Sequence, residues 1–278
     1  DTLRKSLHQF DEHRRFHAIK EHAEIPKNPG LTDLDRALAP FPKLGLTRPA
    51  LITGLKGGSA EVYLGEGKKL TLSAQELAWA HHWLDNSSFK DNDGKSPKPL
   101  AVGDILRLRE VDGKLKLTQI PEVGGALVSM NANDGSVVSI AGGYDFHYSK
   151  FNRAIQSKRQ PGSGFKPVVY ATGLMEGMTP SSIIVDAPVS FGSWTPMNST
   201  RRYYGPTPLR QALTYSRNVV AVRLLQKVGI NKAIRLATSI GFEPDELPRY
   251  LPLALGSGAA SPLRMAQLYA VFANGGFR

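Results

Sequence analysis

The chain contains no cysteine. That excludes disulfide bridges, thiol nucleophiles and cysteine metal sites, and it leaves the redox compartment open. No apolar run approaches the roughly 18 residues that mark a membrane-spanning helix. The first residues, DTLRKSLHQF, lack the apolar stretch of about 7–15 residues of a secretory signal. An address or anchor upstream of Asp1 lies beyond what this sequence displays. H-E-x-x-H is missing as well. Acidic residues are in short supply, 24 Asp and Glu against 35 Lys and Arg, which leaves a net charge of +11. A basic surface attracts polyanions: nucleic acid, anionic lipid head groups or an acidic cell-wall polymer. Here the positive residues are scattered, with only short knots at Arg14-Arg15, Lys68-Lys69 and Arg201-Arg202. A generally solvated basic surface is the better reading.

What is present suffices for one large domain or two modest ones: 278 residues, 41% of them apolar. Residues 1–45 open with a charged helical pattern, Leu3, Leu7 and Phe10 recurring at three and four, which IPKNPG breaks. His13 and His17 are spaced i, i+4, a spacing that puts both on one helix face within reach of a metal. A solvated basic helix is the default there. From about 46 to 120, RPALITGL, SAEVYLG and KKLTLS read as short strands between Gly-rich turns. SAQELAWAHHWL reads as a short helix, and GDILRLRE with KLKLTQI reads as a hairpin around Asp112-Gly113. Several strands and one helix predict a small closed barrel of the OB type. Such barrels often bind nucleic acid through exposed aromatics, but Trp79 and Trp83 at i, i+4 read as packing residues.

From about 121 the texture changes again. GGALVSM and SVVSIAGG form a second hairpin around NANDG, apolar enough to be core. Helical patterns follow: TPLRQALTY, VVAVRLLQKVG closing at Gly229, KAIRLATSIG closing at Gly241, and SPLRMAQLYAVFANGG opening on Ser261-Pro262. The fold class is therefore α+β, a sheet with many helices plus a small all-β barrel.

A serine nucleophile needs a base within reach. S-x-x-K provides one on the same helix face, and the lysine is useful only if burial or a neighbouring cation holds it neutral. The pattern occurs at Ser163-Gly-Phe-Lys166 and at Ser87-Ser-Phe-Lys90. Chance alone supplies about one such match in a chain of this composition. Ser163 fits better. Pro161-Gly162 ends the preceding segment, Val168, Val169, Tyr170 and Leu174 continue as an apolar helix that can bury Lys166, and Pro167 is tolerated in a first turn. Ser87 lies in a polar loop rich in Asp, Asn and Gly, where Lys90 stays solvated. The proton leaving serine must reach the departing amine, and S-x-N supplies a second hydroxyl and an amide for the substrate backbone. It also occurs twice, at Ser129-Met-Asn131 and Ser216-Arg-Asn218. Ser216 and Asn218 are preferred because they sit between two helices, where a loop projects into a cleft. The plainer alternative is that either residue caps the next helix.

S-x-x-K and Ser-x-Asn are shared by class A β-lactamases and penicillin-binding proteins. With SKFNRAIQSKRQPGSGFKP, WTPMN, YYGPTPLRQAL, SRN and SPLRMAQLYAVFANGG, residues from about 125 to 278 resemble the transpeptidase domain of class A penicillin-binding proteins. Some members carry an OB-like domain inserted near the start of that domain, and residues 46–120 resemble it. Residues 1–45 resemble, less closely, the segment leading into it, so the expected domains are 1–45, 46–120 and 121–278. The resemblance implies a periplasmic D,D-transpeptidase, anchored to the bacterial inner membrane by a segment not in this chain. It implies Ser163 as nucleophile, Lys166 as base, Ser216 as proton relay and Asn218 as holder of the donor peptide. Its partners would be peptidoglycan stem peptides and β-lactams, with no metal, no cofactor and no nucleic acid. The barrel's partner stays open between a protein and an acidic wall polymer. No Lys-Thr-Gly or Lys-Ser-Gly occurs in the chain. In the family that element supplies an oxyanion donor, so the chain alone is expected to be close to inert, and no glycosyltransferase region is expected. A β-lactamase or β-lactam sensor on the same fold would reveal itself by rapid turnover of a chromogenic β-lactam. A basic OB-type binding module without catalysis would show salt-steep binding to single strands.

Overall fold

The computed structural model describes residues 1–17, 19–85 and 98–277. Two compact units emerge: residues 1–125 with 143–151, and residues 126–142 with 152–277. Among the described residues, no helix is long and apolar enough to cross a membrane.

The first unit is built on an antiparallel sheet of β1 (Thr47–Lys56), β2 (Ser59–Tyr63), β3 (Lys69–Leu72), β4 (Ile105–Val111) and β5 (Lys114–Thr118), in the order β3-β2-β1-β4-β5. The Asp-Gly hairpin is where the sequence predicts it. Val111 pairs with Lys114, and Asp112 and Gly113 both take positive φ, the pattern of a type I′ turn. Period-two alternation aims Ala50, Ile52, Val62, Leu72, Leu106 and Leu108 at one core. Leu70 of one edge strand and Leu117 of the other pack against the same core, so the sheet curls around it. Among the described residues β3 and β5 are not hydrogen-bonded to each other, so the OB-like barrel stays open along that seam. The helix α3 (Ala78–Leu84) adds Ala80 and Leu84 to that core, Trp79 and Trp83 pack on it, and Trp79 Nε1 donates to the Arg14 carbonyl.

On the other face of the sheet lies α2 (Leu31–Leu38), whose Leu34 and Leu38 pack against Leu51, Tyr63 and Ile105. The first helix, α1 (Thr2–Glu12), buries Leu7 as its pattern predicts. It stops before the predicted histidine pair is complete: His13 is its capping residue and His17 lies beyond it. Phe16 turns into the barrel core, edge-on to Trp79 at 5.0 Å, so the chain leaves the helix and the two histidines do not share a helix face. His17 faces carboxylates instead, with Nδ1 3.4 Å from Glu122.

The second unit opens with the hairpin β6 (Leu127–Met130) and β7 (Val137–Ala141). Its apolar residues are not core: Leu127, Val137, Val138 and Ile140 are exposed, because among the described residues only these two strands form that sheet. The core lies among helices. α6 (Asn218–Val228) is apolar around most of its circumference and is packed by α4 (Lys166–Met175), α5 (Leu209–Thr214), α7 (Ile230–Ser239) and the 3₁₀ turn Leu251–Leu255, while α8 (Pro262–Ala273) adds Leu268 to the same core. A Cβ added at Gly173 would lie 3.0 Å from Leu224 Cδ1, so glycine is what lets α4 lie close to α6. β8 (Ile183–Asp186) pairs with β9 (Gly205–Pro208) beside them. The predicted helix ends hold: Gly229 and Gly241 take positive φ, and Ser261 Oγ accepts from the Arg264 amide.

Candidate active site

The α-helix does not start at Ser163. A 3₁₀ turn over Gly162–Phe165 comes first, and α4 begins at Lys166. Pro167 explains the join. It has no N–H to bond the Ser163 carbonyl in the α-helical manner, and the Lys166 N–H takes that carbonyl one residue earlier. Side chains three apart eclipse in a 3₁₀ turn, so Ser163 and Lys166 share one side. The turn is pinned by backbone. A Cβ on Gly256, itself at φ +73°, would fall 2.1 Å from the Gly162 carbonyl oxygen, and the Gly164 carbonyl accepts from Tyr269 Oη at 3.1 Å.

Ser163 is exposed, whereas Lys166 is 1% exposed. Its Nζ donates to the Ser216 carbonyl at 2.7 Å, to Ser216 Oγ at 2.9 Å and to Asn218 Oδ1 at 2.7 Å. Three acceptors match the three N–H groups of an ammonium. Burial pulls the other way and lowers the lysine pKa to about 8. The structure thus brings Lys166, Ser216 and Asn218 into mutual contact. Ser163 stands on the same side of the turn, without a side-chain hydrogen bond to Lys166. The competing residues fare differently. Ser129 and Asn131 belong to the hairpin, where the Asn131 amide bonds the Ser136 carbonyl. Ser87 and Lys90 lie outside the described residues.

Ser216 holds the left-handed conformation, φ +52°. It ends α5: its N–H bonds the Leu213 carbonyl and the Arg217 N–H bonds the Ala212 carbonyl, the Schellman pattern in which glycine is usual. A serine there carries backbone strain and delivers its hydroxyl and its carbonyl to the same amine. Neither Ser216 nor Asn218 caps α6. The residue before that helix, Arg217, makes no side-chain cap, and its guanidinium lies 3.4 Å over the Tyr204 ring.

The cap comes from twenty residues upstream. Asn198 Oδ1 accepts from the amides of Asn218 at 2.8 Å and Val219 at 3.3 Å. Asn198 is buried, and so is Asp186, whose two carboxylate oxygens both accept from Asn198 Nδ2 at 2.9 Å. Neither residue stands out in the sequence, because a cap supplied across twenty residues leaves no local spacing to find.

A buried amine held by a hydroxyl and an amide, one turn from an exposed serine, places a base within reach of a nucleophile. Residues 125–278 match the penicillin-binding protein transpeptidase domain family, and residues 16–123 match the penicillin-binding protein OB-like domain. The chain belongs to the penicillin-binding protein transpeptidase family. It is 40% identical over 242 residues to penicillin-binding protein 1A of Pseudomonas aeruginosa, covering 84% of this chain and 29% of that one. It is 38% identical to that of Neisseria lactamica, covering all of this chain and 35% of the relative. The crystal structure of penicillin-binding protein 1A from Haemophilus influenzae superposes with a TM-score of 0.79 at 34% identity, over 97% of this chain and 39% of that one. The chain therefore spans about a third of the length of these relatives.

Proposed function

We propose that the chain carries the acyl-serine site of a peptidoglycan D,D-transpeptidase, which cross-links stem peptides ending in D-Ala-D-Ala and is acylated by β-lactams. The observation that carries this reading is the Lys166 amine, buried, lowered in pKa to about 8, and bonded to Ser216 and Asn218. In its neutral form it takes the proton of Ser163 as that oxygen attacks the penultimate D-alanine carbonyl. The scissile C–N bond then breaks. The leaving D-alanine nitrogen receives a proton through the Ser216 hydroxyl, which Lys166 replenishes. An amine of a neighbouring strand attacks the acyl-serine, and Ser163 leaves with its proton restored. Asn218 Nδ2 gives one hydrogen to the Met197 carbonyl and keeps the other for the donor backbone.

The activity belongs to the periplasm, with the protein held to the inner membrane by a segment outside these residues. The OB-like unit takes a protein or an acidic wall polymer. The divisions after residues 45 and 120 belong to the same reading.

Intact-mass measurement after benzylpenicillin treatment of the full-length protein tests it. One stable adduct is expected, lost in Ser163→Ala and kept in Ser87→Ala. An adduct that survives Ser163→Ala refutes the assignment, and rapid loss of the adduct by hydrolysis points to a β-lactamase.

A further inference from the structure

We propose that Asp186 and Asn198 are positioning residues for the Lys166 amine. This rests on the reading of Lys166 as the base. The side-chain amide of Asn198 has one favourable orientation. Asn198 has two N–H donors and one oxygen acceptor. Its Nδ2 faces both oxygens of Asp186 and the Arg202 carbonyl, all acceptors at 2.9 Å. Its Oδ1 faces the N–H groups of Asn218 and Val219, both donors. A flip of the side chain would set oxygen against oxygen on the Asp186 side and donor against donor on the α6 side. The carboxylate of Asp186, which can only accept while ionised, is what makes the two orientations so unequal.

That single orientation reaches the amine in two steps. The Oδ1 fixes the start of α6, whose first residue is Asn218. The preceding residue, Met197, accepts from Asn218 Nδ2 at 2.9 Å. Residues 197 and 198 therefore hold Asn218 by its backbone and by its side chain at once. The one remaining polar atom of that side chain, Oδ1, is the 2.7 Å partner of Lys166 Nζ. With Asn218 so gripped, the amine has one seat. Without the grip, Asn218 is free to turn, and Lys166 loses one of three acceptors. Misplacement on the order of 1 Å far from the reacting atoms costs about 100-fold in favourable cases.

The test compares benzylpenicillin acylation rates of the full-length protein across pH 6 to 10, with melting curves recorded in parallel. Asn198→Ala is expected to slow acylation about 10- to 100-fold at a temperature where it remains folded, and to displace the pH midpoint of the rate. Asn198→Asp, which sets two buried carboxylates face to face, should be at least as slow. The exchange Asp186→Asn with Asn198→Asp restores one amide and one carboxylate, and should recover much of the loss seen in Asn198→Asp. If Asn198→Ala does not fold, the single variant Asp186→Asn carries the test. It keeps the size but replaces one of the two acceptor oxygens with an NH2 donor, removes the acceptor-only face that fixes the amide, and should slow acylation several-fold. Variants that slow only as far as they unfold, with the pH midpoint unmoved and no recovery in the exchange, overturn the proposal. A wild-type protein that takes no adduct on Ser163 instead overturns the reading of the site. The two failures are thus distinct.

Discussion

Lys166 is the residue on which the proposed chemistry rests. Its amine is lowered to about 8 by burial, against 10.5 for a free lysine. A base must be neutral to accept a proton, so the rate of Ser163 acylation should rise with pH through about 8 and level off above it. A stopped-flow penicillin-acylation profile checks this, and a rate flat from pH 6 to 10 contradicts it. Ser216 makes a second, separable claim. At φ +52°, a non-glycine residue costs on the order of 1–2 kcal/mol. Ser216→Gly should raise the melting temperature by a few degrees and still lose acyl transfer with the hydroxyl. Ser216→Ala should lose the transfer without gaining stability. Equal melting temperatures for the two variants would count against strain at this position. The burial of Lys166 was legible in the sequence, because Val168, Val169 and Tyr170 continue it as an apolar helix. The strain at Ser216 was not legible. A serine at a helix end looks the same in sequence whether its φ is positive or negative.

Helix α1 shows what an element's docking depends on. His8 is buried in its middle, with Nε2 2.9 Å from Tyr144 Oη and Nδ1 3.1 Å from Thr118 Oγ1. A neutral ring has one donor and one acceptor, and two hydroxyls can serve both. Burial, aided by the charge of Arg109, lowers the His8 pKa from 6.5 to about 4. Between those values the unfolded chain binds a proton that the folded chain refuses. Stability is therefore complete above pH 6.5 and is lost as pH falls toward 4, by about 3 kcal/mol in all. Denaturation of the wild-type protein and of His8→Gln, followed at several pH values, isolates the term. The gap between them should narrow as the pH drops from 6.5 to 4, and a constant gap would refute it. The helix itself was legible from Leu3 and Leu7. Its anchor was not, since Tyr144 lies 136 residues from His8. The cap of α6 escaped for the same reason: Asn198 and Asn218 meet only after β8 and β9 have folded back. The OB-like unit was legible as a curled sheet with one helix, but the open seam between β3 and β5 was not. Strand patterns fix which residues face the core, but whether β3 bonds to β5 depends on what fills the space between them.

At the scale of the whole molecule, the strands that begin near residue 46 lie in a compact unit of residues 1–125, and residues 143–151 join that unit through Tyr144, whose hydroxyl accepts from the Leu46 amide and donates to the Leu44 carbonyl. No composition shift announces that return. The charge of +11 is a property of the entire chain, and it separates two kinds of interaction by their response to salt. Attraction between the scattered surface cations and an acidic polymer acts through water, where the screening length falls from about 10 Å at 0.1 M to about 3 Å at 1 M. Lys166 is buried, and as the proposed base it would react in its neutral form, so screening should have little hold on it. Raising salt from 0.1 to 1 M should release the protein from poly-glutamate beads while changing the rate of penicillin acylation at pH 8 by less than about twofold. Retention on the beads at 1 M would mean contacts other than scattered charge. Acylation falling in step with release would mean that the site depends on surface electrostatics, against a base working from a buried seat.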